Sequence, residues 1–205
     1  MRSYSRLGSG GASRPTSFLL LLLVCTPCFA GVRPSLVPAH DVTVDYQVQP
    51  AGGPVLDVRV EIEAGGQHLR ITSADLPTTL LVNRSTETAS FLLPMLRAYS
   101  EMNIAGYEPE QGVLRGAVFA EAGRSRVAGH ECTLWRARSP QGQADGCITP
   151  DGVIVQADAR SFRKGDIGSV RAVRVAYGGP PPDAFEVPPG FQRSPIGLDE
   201  LGAIR

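Results

Sequence analysis

In Asp41–Val48 and again in Leu56–Ala64 an apolar side chain recurs at every second position, and no other feature restricts the fold of this chain as strongly. Leu56, Val58, Val60 and Ile62 alternate with Asp57, Arg59, Glu61 and Glu63. Val42, Val44, Tyr46 and Val48 alternate in the same way with Asp41, Thr43, Asp45 and Gln47. Period two places all the apolar groups on one face of an extended strand, whereas on a helix it would scatter them around the axis. Strands with one apolar and one charged face belong to antiparallel sheets that are covered on one side only. Gly65-Gly66 then supplies a tight turn into Gln67–Ser73, where Leu69 and Ile71 continue the apolar face.

Further strands are expected at Thr79–Arg84, Thr86–Leu93, Val113–Ala120, His130–Arg138, Ala144–Thr149, Val153–Asp158 and Val170–Tyr177, with a short last one at Phe185–Val187. One helix interrupts the series. Pro94 suits a first helical position, and Met95, Tyr99 and Met102 follow at i, i+4 and i+7, with Leu96 beside them. The expected class is therefore mainly β, a sheet of about ten strands that curls on itself around one or two short helices. Pattern alone leaves barrel, half-barrel and sandwich open.

The N-terminus has the three parts of a secretory signal. Arg2, Arg6 and Arg14 precede an apolar run from Phe18 to Val24, and Cys28-Phe29-Ala30 offers a cleavage site before Gly31. The apolar stretch is too short for a bilayer, which needs about 20 residues. Cys25 and Cys28 have C-x-x-C spacing but would leave with the signal, and neither Val24 nor Pro27 suits lipid attachment to the cysteine that follows it. Residues 1–30 are thus read as signal, 31–193 as one domain and 194–205 as a flexible tail. Loss of the signal removes three arginines and no acid, leaving seventeen basic against twenty acidic side chains and a net charge of −3. Nothing in that balance suits nucleic acid. Nineteen arginines against the single Lys164 read as the codon bias of a GC-rich bacterium, which makes the periplasm the expected compartment.

Cys132 and Cys147 remain, nearly symmetric about a Ser139–Gln143 turn, and in an oxidising compartment they are expected to form a disulfide across a hairpin. Pro150-Asp151-Gly152 reads as another turn. His40, His68 and His130 are far apart in the sequence, and no nucleophile elbow, zinc-protease or phosphate-loop motif occurs. No catalytic residue, metal or cofactor is expected. Phe91, Tyr99, Phe119, Trp135 and Phe185 supply large apolar area, as core or as cavity lining.

Three segments carry a family resemblance: the unit around Gly65-Gly66 ending in Leu69-Arg70-Ile71, the stretch Leu80-Leu81-Val82-Asn83-Arg84 followed by Phe91–Tyr99, and the ending Phe185-Glu186-Val187-Pro188-Pro189-Gly190-Phe191. In their order they resemble periplasmic domains of the lipoprotein-carrier (LolA-like) superfamily, closest to its uncharacterised members. The resemblance implies an unclosed, strongly curved antiparallel sheet whose apolar concavity holds acyl chains or other lipids. On this reading the protein is a non-catalytic binding or chaperone-like periplasmic protein. Its partner would be a lipid, an acyl chain or an envelope protein, and no membrane anchor would remain after processing. The alternation puts Val44, Tyr46, Val58, Val60 and Ile62 on one wall of the ligand cavity, and the helix would offer Met95, Tyr99 and Met102 as the other. A structural or partner-binding domain with a filled core is the alternative, and a hydrolase with an unrecognised site ranks after it. N-terminal sequencing of protein exported by a bacterial host should start at Gly31; intact Met1 or a lipid-modified cysteine would refute that processing.

Overall fold

The computed structural model describes residues 33–106 and 112–194. The signal segment lies outside the described residues, as does all of the tail except Ser194. Twelve strands form one sheet: β1 (Val42–Pro50), β2 (Leu56–Ile62), β3 (His68–Ser73), β4 (Thr79–Asn83), β5 (Thr88–Leu93), β6 (Ala98–Asn103), β7 (Val118–Val127), β8 (His130–Ser139), β9 (Gly142–Ile148), β10 (Ile154–Ser161), β11 (Gly165–Tyr177) and β12 (Gln192–Arg193). Their spatial order is β12-β6-β5-β4-β3-β2-β1-β11-β10-β9-β8-β7. Two meanders, β1–β6 and β7–β11, thus lie side by side and are joined where β1 pairs with β11. All pairs are antiparallel except the short β12–β6 pair at one edge. The order is linear, so the sheet does not close.

Alternation succeeds where it was clearest. Val42 faces Ile62, Val44 faces Val60 and Tyr46 faces Val58 across β1 and β2. Gly65 and Gly66 take φ of 78° and 65° in a 3-10 turn, a region that glycine enters without steric cost, and Glu63 N–H closes the hairpin on the His68 carbonyl at 3.1 Å. Register slips at Asp45/Tyr46, Ile154/Gln156 and Glu121/Gly123 mark bulges, which bend strands and increase their twist. The sheet coils far enough to bring β7 and β8 toward the end of β11, where the His130 ring meets that of Tyr177. Val42, Val44, Val127, Cys132, Cys147, Val153, Val155 and Ala172 form one buried cluster. Each fully buried valine there is worth about 1.5–3 kcal/mol of burial.

Cys132 and Cys147 are bonded, with Cα atoms 5.4 Å apart. The bridge runs diagonally, because Cys147 stands opposite Leu134 rather than Cys132. The other face of this half-sheet is covered by Leu36 and Leu114, which lie with Phe119, Trp135 and Ile154 around a cavity of about 60 Å³. Residues 33–41 tie one end of the sheet together. Gly65 N–H donates to the Pro38 carbonyl, Ala64 N–H to Asp41 Oδ1, Gly178 N–H to the Asp41 carbonyl and Ala39 N–H to the Asp151 carbonyl, at 2.7–3.0 Å. Beside them Tyr177 donates to Asp151 Oδ1 at 3.0 Å, and the rings of His40 and His130 stand 6.5 and 5.7 Å from the Tyr177 ring. Histidines distant in sequence thus converge on one tyrosine.

The expected helix is absent. Pro94–Leu96 is a single 3-10 turn ending at Arg97, whose φ of 46° is left-handed, and Ala98–Asn103 is strand β6, with Leu93 opposite Ala98 and Thr88 opposite Asn103. Over eight residues, apolar spacing cannot separate a helix from a strand, and β5 offers β6 a cross-strand partner along its whole length, with β12 on the other edge at Ala98 and Tyr99. Phe185–Val187 is no strand either. Pro180, Pro181 and Pro182 have no N–H to give a ladder, Pro182–Phe185 forms a 3-10 turn, and the last strand is β12. Val113 belongs to a 3-10 turn (Gly112–Leu114), so β7 begins only at Val118 and runs on to Val127.

Replacing Cys132 by Ala removes a cross-link that closes 15 residues. It should lower the urea-determined unfolding free energy by about 3 kcal/mol. Thiol titration of the unfolded, unreduced mature protein should find no free thiol, and two would refute the bridge.

Candidate functional site

The side chains that share a face with Val42 and Val44 continue without a break to the far edge of the first meander. Val58 faces Ser73, Val60 faces Ile71 and Ile62 faces Leu69. Ile71 in turn faces Leu80, and Leu69 faces Val82. Leu80 faces Phe91, and Phe91 faces Ser100. Because Val42 and Val44 touch the opposing core, this is the inner face of the coil. Its burial is graded. Val42 and Val44 are completely covered, whereas Val58, Val60, Ile62, Leu69, Ile71, Leu80, Val82 and Phe91 are only half-buried, although they stand in the middle of a sheet. No helix longer than a 3-10 turn occurs among the described residues to lie across them.

The outer face of the same strands is finished. Arg59 and Asp45 stand directly opposite and pair at 2.6 Å, Arg70 and Glu61 pair at 3.1 Å, and His68 and Glu63 at 2.7 Å. The carboxyl of Asp45 is held below its ordinary value, first by the hydrogen bond from Arg59 and against the upward pull of partial burial. Farther out, the chain after β11 returns over β3–β6. Ala184, Pro188 and Phe191 lie over Leu81 and Leu92, which are 5% and 3% exposed, and the Phe185 ring stands 5.9 Å from that of His68. The Phe185–Phe191 segment is therefore a cover for the outer face. A hollow of about 240 Å³ remains between this segment and the strands, so the cover is incomplete.

Five of the eight proposed cavity residues come together. Val44, Tyr46, Val58, Val60 and Ile62 form one patch of β1 and β2. Tyr46 lies opposite Ala172, a residue too small to obstruct it, and donates its hydroxyl to the Ile154 carbonyl at 2.7 Å. Burial pushes the Tyr46 phenol well above its ordinary pKa. The other three form no opposing wall. Met95 is 88% exposed at the tip of the β5–β6 turn, while Tyr99 and Met102 lie on β6, an odd number of residues apart and so on opposite faces. The rest of the inner face on β3–β5 was visible in the sequence as strands but was not assigned to the site.

No protein-family model matches the chain, and no curated protein matches it in sequence. Solved structures do resemble it in fold. An uncharacterised conserved protein from Thermus thermophilus superposes at a TM-score of 0.55 with 9% identity, over 76% of this chain and 90% of that one. MucB of Pseudomonas aeruginosa, solved as the MucA/MucB complex, superposes at 0.54 with 10% identity, over 77% of this chain and 59% of that one. The chain thus spans about three fifths of MucB, and at these identities the likeness concerns the fold alone. A putative outer membrane lipoprotein-sorting domain from Vibrio parahaemolyticus reaches only 0.38, which carries no argument.

Asp45, ionised by its partner, adds stability that is present above its ordinary pKa of 3.8 and is lost as pH falls through its lower folded value. Arg59→Ala should therefore cost about 0.5 kcal/mol at pH 7, the scale of an exposed pair. The difference from the unsubstituted protein should fade in urea titrations carried out progressively below pH 3.8. A difference that persists at the lowest pH would assign the effect to packing of the arginine stem.

Proposed function

We propose that this protein is a non-catalytic binding protein of the bacterial envelope that takes an apolar ligand on the inner face of β2–β5. The observation that carries the reading is the contrast between the two faces of these strands. The outer aliphatic residues Leu81 and Leu92 are buried beneath the chain's own C-terminal segment, whereas Val58, Val60, Ile71, Leu80 and Phe91 on the inner side are only partly covered. A contiguous uncovered apolar face of this extent marks a binding surface. The disulfide and the signal-like N-terminus support export to the periplasm. The LolA-like resemblance read from the sequence supports a lipid or acyl chain as the ligand.

A polypeptide segment laid across the same face is the second reading, favoured by one observation. The apolar cavity near Trp135 holds about 60 Å³, a hollow of about 240 Å³ lies on the outer face beneath the C-terminal segment, and the larger hollows of 440–510 Å³ are lined in part by charged side chains such as Asp145, Arg126 and Arg59. An occupant of the inner face is therefore laid on it rather than engulfed. MucB, solved in complex with periplasmic MucA, is a fold neighbour that does bind a protein.

Val60→Glu places a charge in the middle of the face and should abolish binding of a fluorescent fatty-acid probe. Glu61→Ala, on the outer side, should leave it within about twofold of the starting affinity. Circular dichroism establishes that both variants are folded. An apolar peptide that competes with the probe, or binds where the probe does not, selects the polypeptide reading. Probe binding that is equal in both variants sinks the inner-face site.

A further inference from the structure

Because the strands alternate in direction, the turns of the sheet fall at two ends. One end carries the β1–β2, β3–β4, β5–β6, β8–β9 and β10–β11 turns, and the other carries β2–β3, β4–β5, β7–β8 and β9–β10. Their chemistry differs. At the first end Val55 is 51% exposed, Leu76 50%, Met95 88%, Leu96 72%, Phe162 64% and Ile167 47%. Val55, Leu76, Met95, Leu96 and Phe162 occupy four of its five turns, and Ile167 lies on β11 just beyond the last of them. At the second end the turns Glu63–Gln67, Arg84–Glu87, Ala128–Gly129 and Thr149–Val153 present no exposed large apolar residue, although Met102 (43%) and Tyr177 (45%) are exposed near the ends of β6 and β11. In a soluble domain scattered exposed apolar groups are ordinary, but their segregation to successive turns of one end is not.

Basic groups accompany these tips. Arg97 follows Leu96, and Arg163 and Lys164 follow Phe162; all three are exposed, and Lys164 is the only lysine of the chain. Acids stand beside them: Asp57 and Asp75 are exposed, with Asp75 accepting the Asp57 N–H at 2.9 Å, and Asp166 lies 3.5 Å from Arg160. The turns are also stiff. Pro54, Pro77 and Pro94 fix backbone angles next to Val55, Leu76 and Met95. Arg97 N–H returns to the Pro94 carbonyl at 3.2 Å, which holds Met95 and Leu96 at the apex.

The spacing separates the possible partners. Turns two strands apart are about 10 Å from one another, so the apolar tips are isolated points set among polar backbone and basic heads. A folded partner needs a continuous dehydrated centre. A fluid bilayer accepts each tip separately and holds cationic groups at its phosphates. We infer that this end of the sheet docks on an anionic lipid bilayer, with Met95, Leu96, Phe162 and Leu76 inserted at the boundary of headgroups and acyl chains and Arg97, Arg163 and Lys164 at the lipid phosphates. Docking does not depend on a ligand occupying the inner face.

Vesicle flotation of the mature protein tests it. Vesicles rich in phosphatidylglycerol should carry the protein about tenfold more strongly than phosphatidylcholine vesicles, and added salt should erase the difference. Leu96→Asp combined with Phe162→Ser should weaken flotation about tenfold or more, and Arg163→Ala with Lys164→Ala should remove the preference for anionic lipid. Val173→Ser, an equally exposed apolar site away from the tips, should change nothing. A tryptophan introduced by Leu96→Trp should shift its emission to the blue on vesicle addition. Failure to float with phosphatidylglycerol vesicles overturns the inference, as does undiminished flotation of the double tip variant. So does a concentration-dependent dimer, dissolved by Leu96→Asp, in a protein that ignores vesicles. Loss of fatty-acid binding in Val60→Glu with flotation intact would bear only on the inner-face ligand.

Discussion

Strand β1 is hydrogen-bonded along both edges, to β2 and to β11, and this double pairing holds the two meanders together. Val42 and Val44 on that strand have no exposed surface, and they connect the half of the sheet that contains the disulfide to the half with the open face. The gradient of burial on the inner side starts from this seam. Near β1 the valines share a buried cluster with residues of β7 and β8; toward β5 the large side chains are only partly covered, and the small Ala89 and Ser100 lie buried between them. One local property, an unclosed sheet coiled more tightly on one side of β1 than on the other, thus produces both the core and the surface left open.

The charges between the valines have a matching role. In β1 and β2 each apolar pair is followed by a charged or polar pair on the outer face, with Asp45 opposite Arg59. Sliding β2 by one residue would carry Arg59 and Glu61 into the inner side and Val58 and Val60 out. The register is therefore fixed far more strongly than the small energy of an exposed ion pair would suggest. The same strictness made these strands readable from the sequence, because nothing else produces four consecutive alternations in Leu56–Glu63.

Legibility failed where local pattern and tertiary pairing separate. Met95, Tyr99 and Met102 fit a helical stripe as well as any short segment can, yet the partner that decides their conformation is β5, and no spacing within Pro94–Met102 encodes β5. The seam itself was also invisible: Val42 pairs with Tyr177, a partner that lies more than half the chain away. The Phe185–Phe191 ending was noticed as a motif, but its role as a cover follows only from seeing Leu81 and Leu92 beneath it. The cysteine pairing was readable because both residues flank one turn, although the diagonal offset was not.

The distance between the two partners of the seam has a consequence for the chain as it is made. A ribosome completes β1 by residue 50 and completes β11 only at Tyr177. During the interval β1 can gain β2 on one edge, but its other edge stays a bare row of amides and carbonyls beside two valines destined for the core. Such an edge is a template for any extended neighbour, including another nascent copy. Release before Gly165 leaves a fragment with a sticky strand and no means of covering it, however well the rest of its first meander has formed. The architecture thus makes the cover of the earliest strand wait for one of the last: only a chain that has reached Tyr177 can hide the free edge of β1.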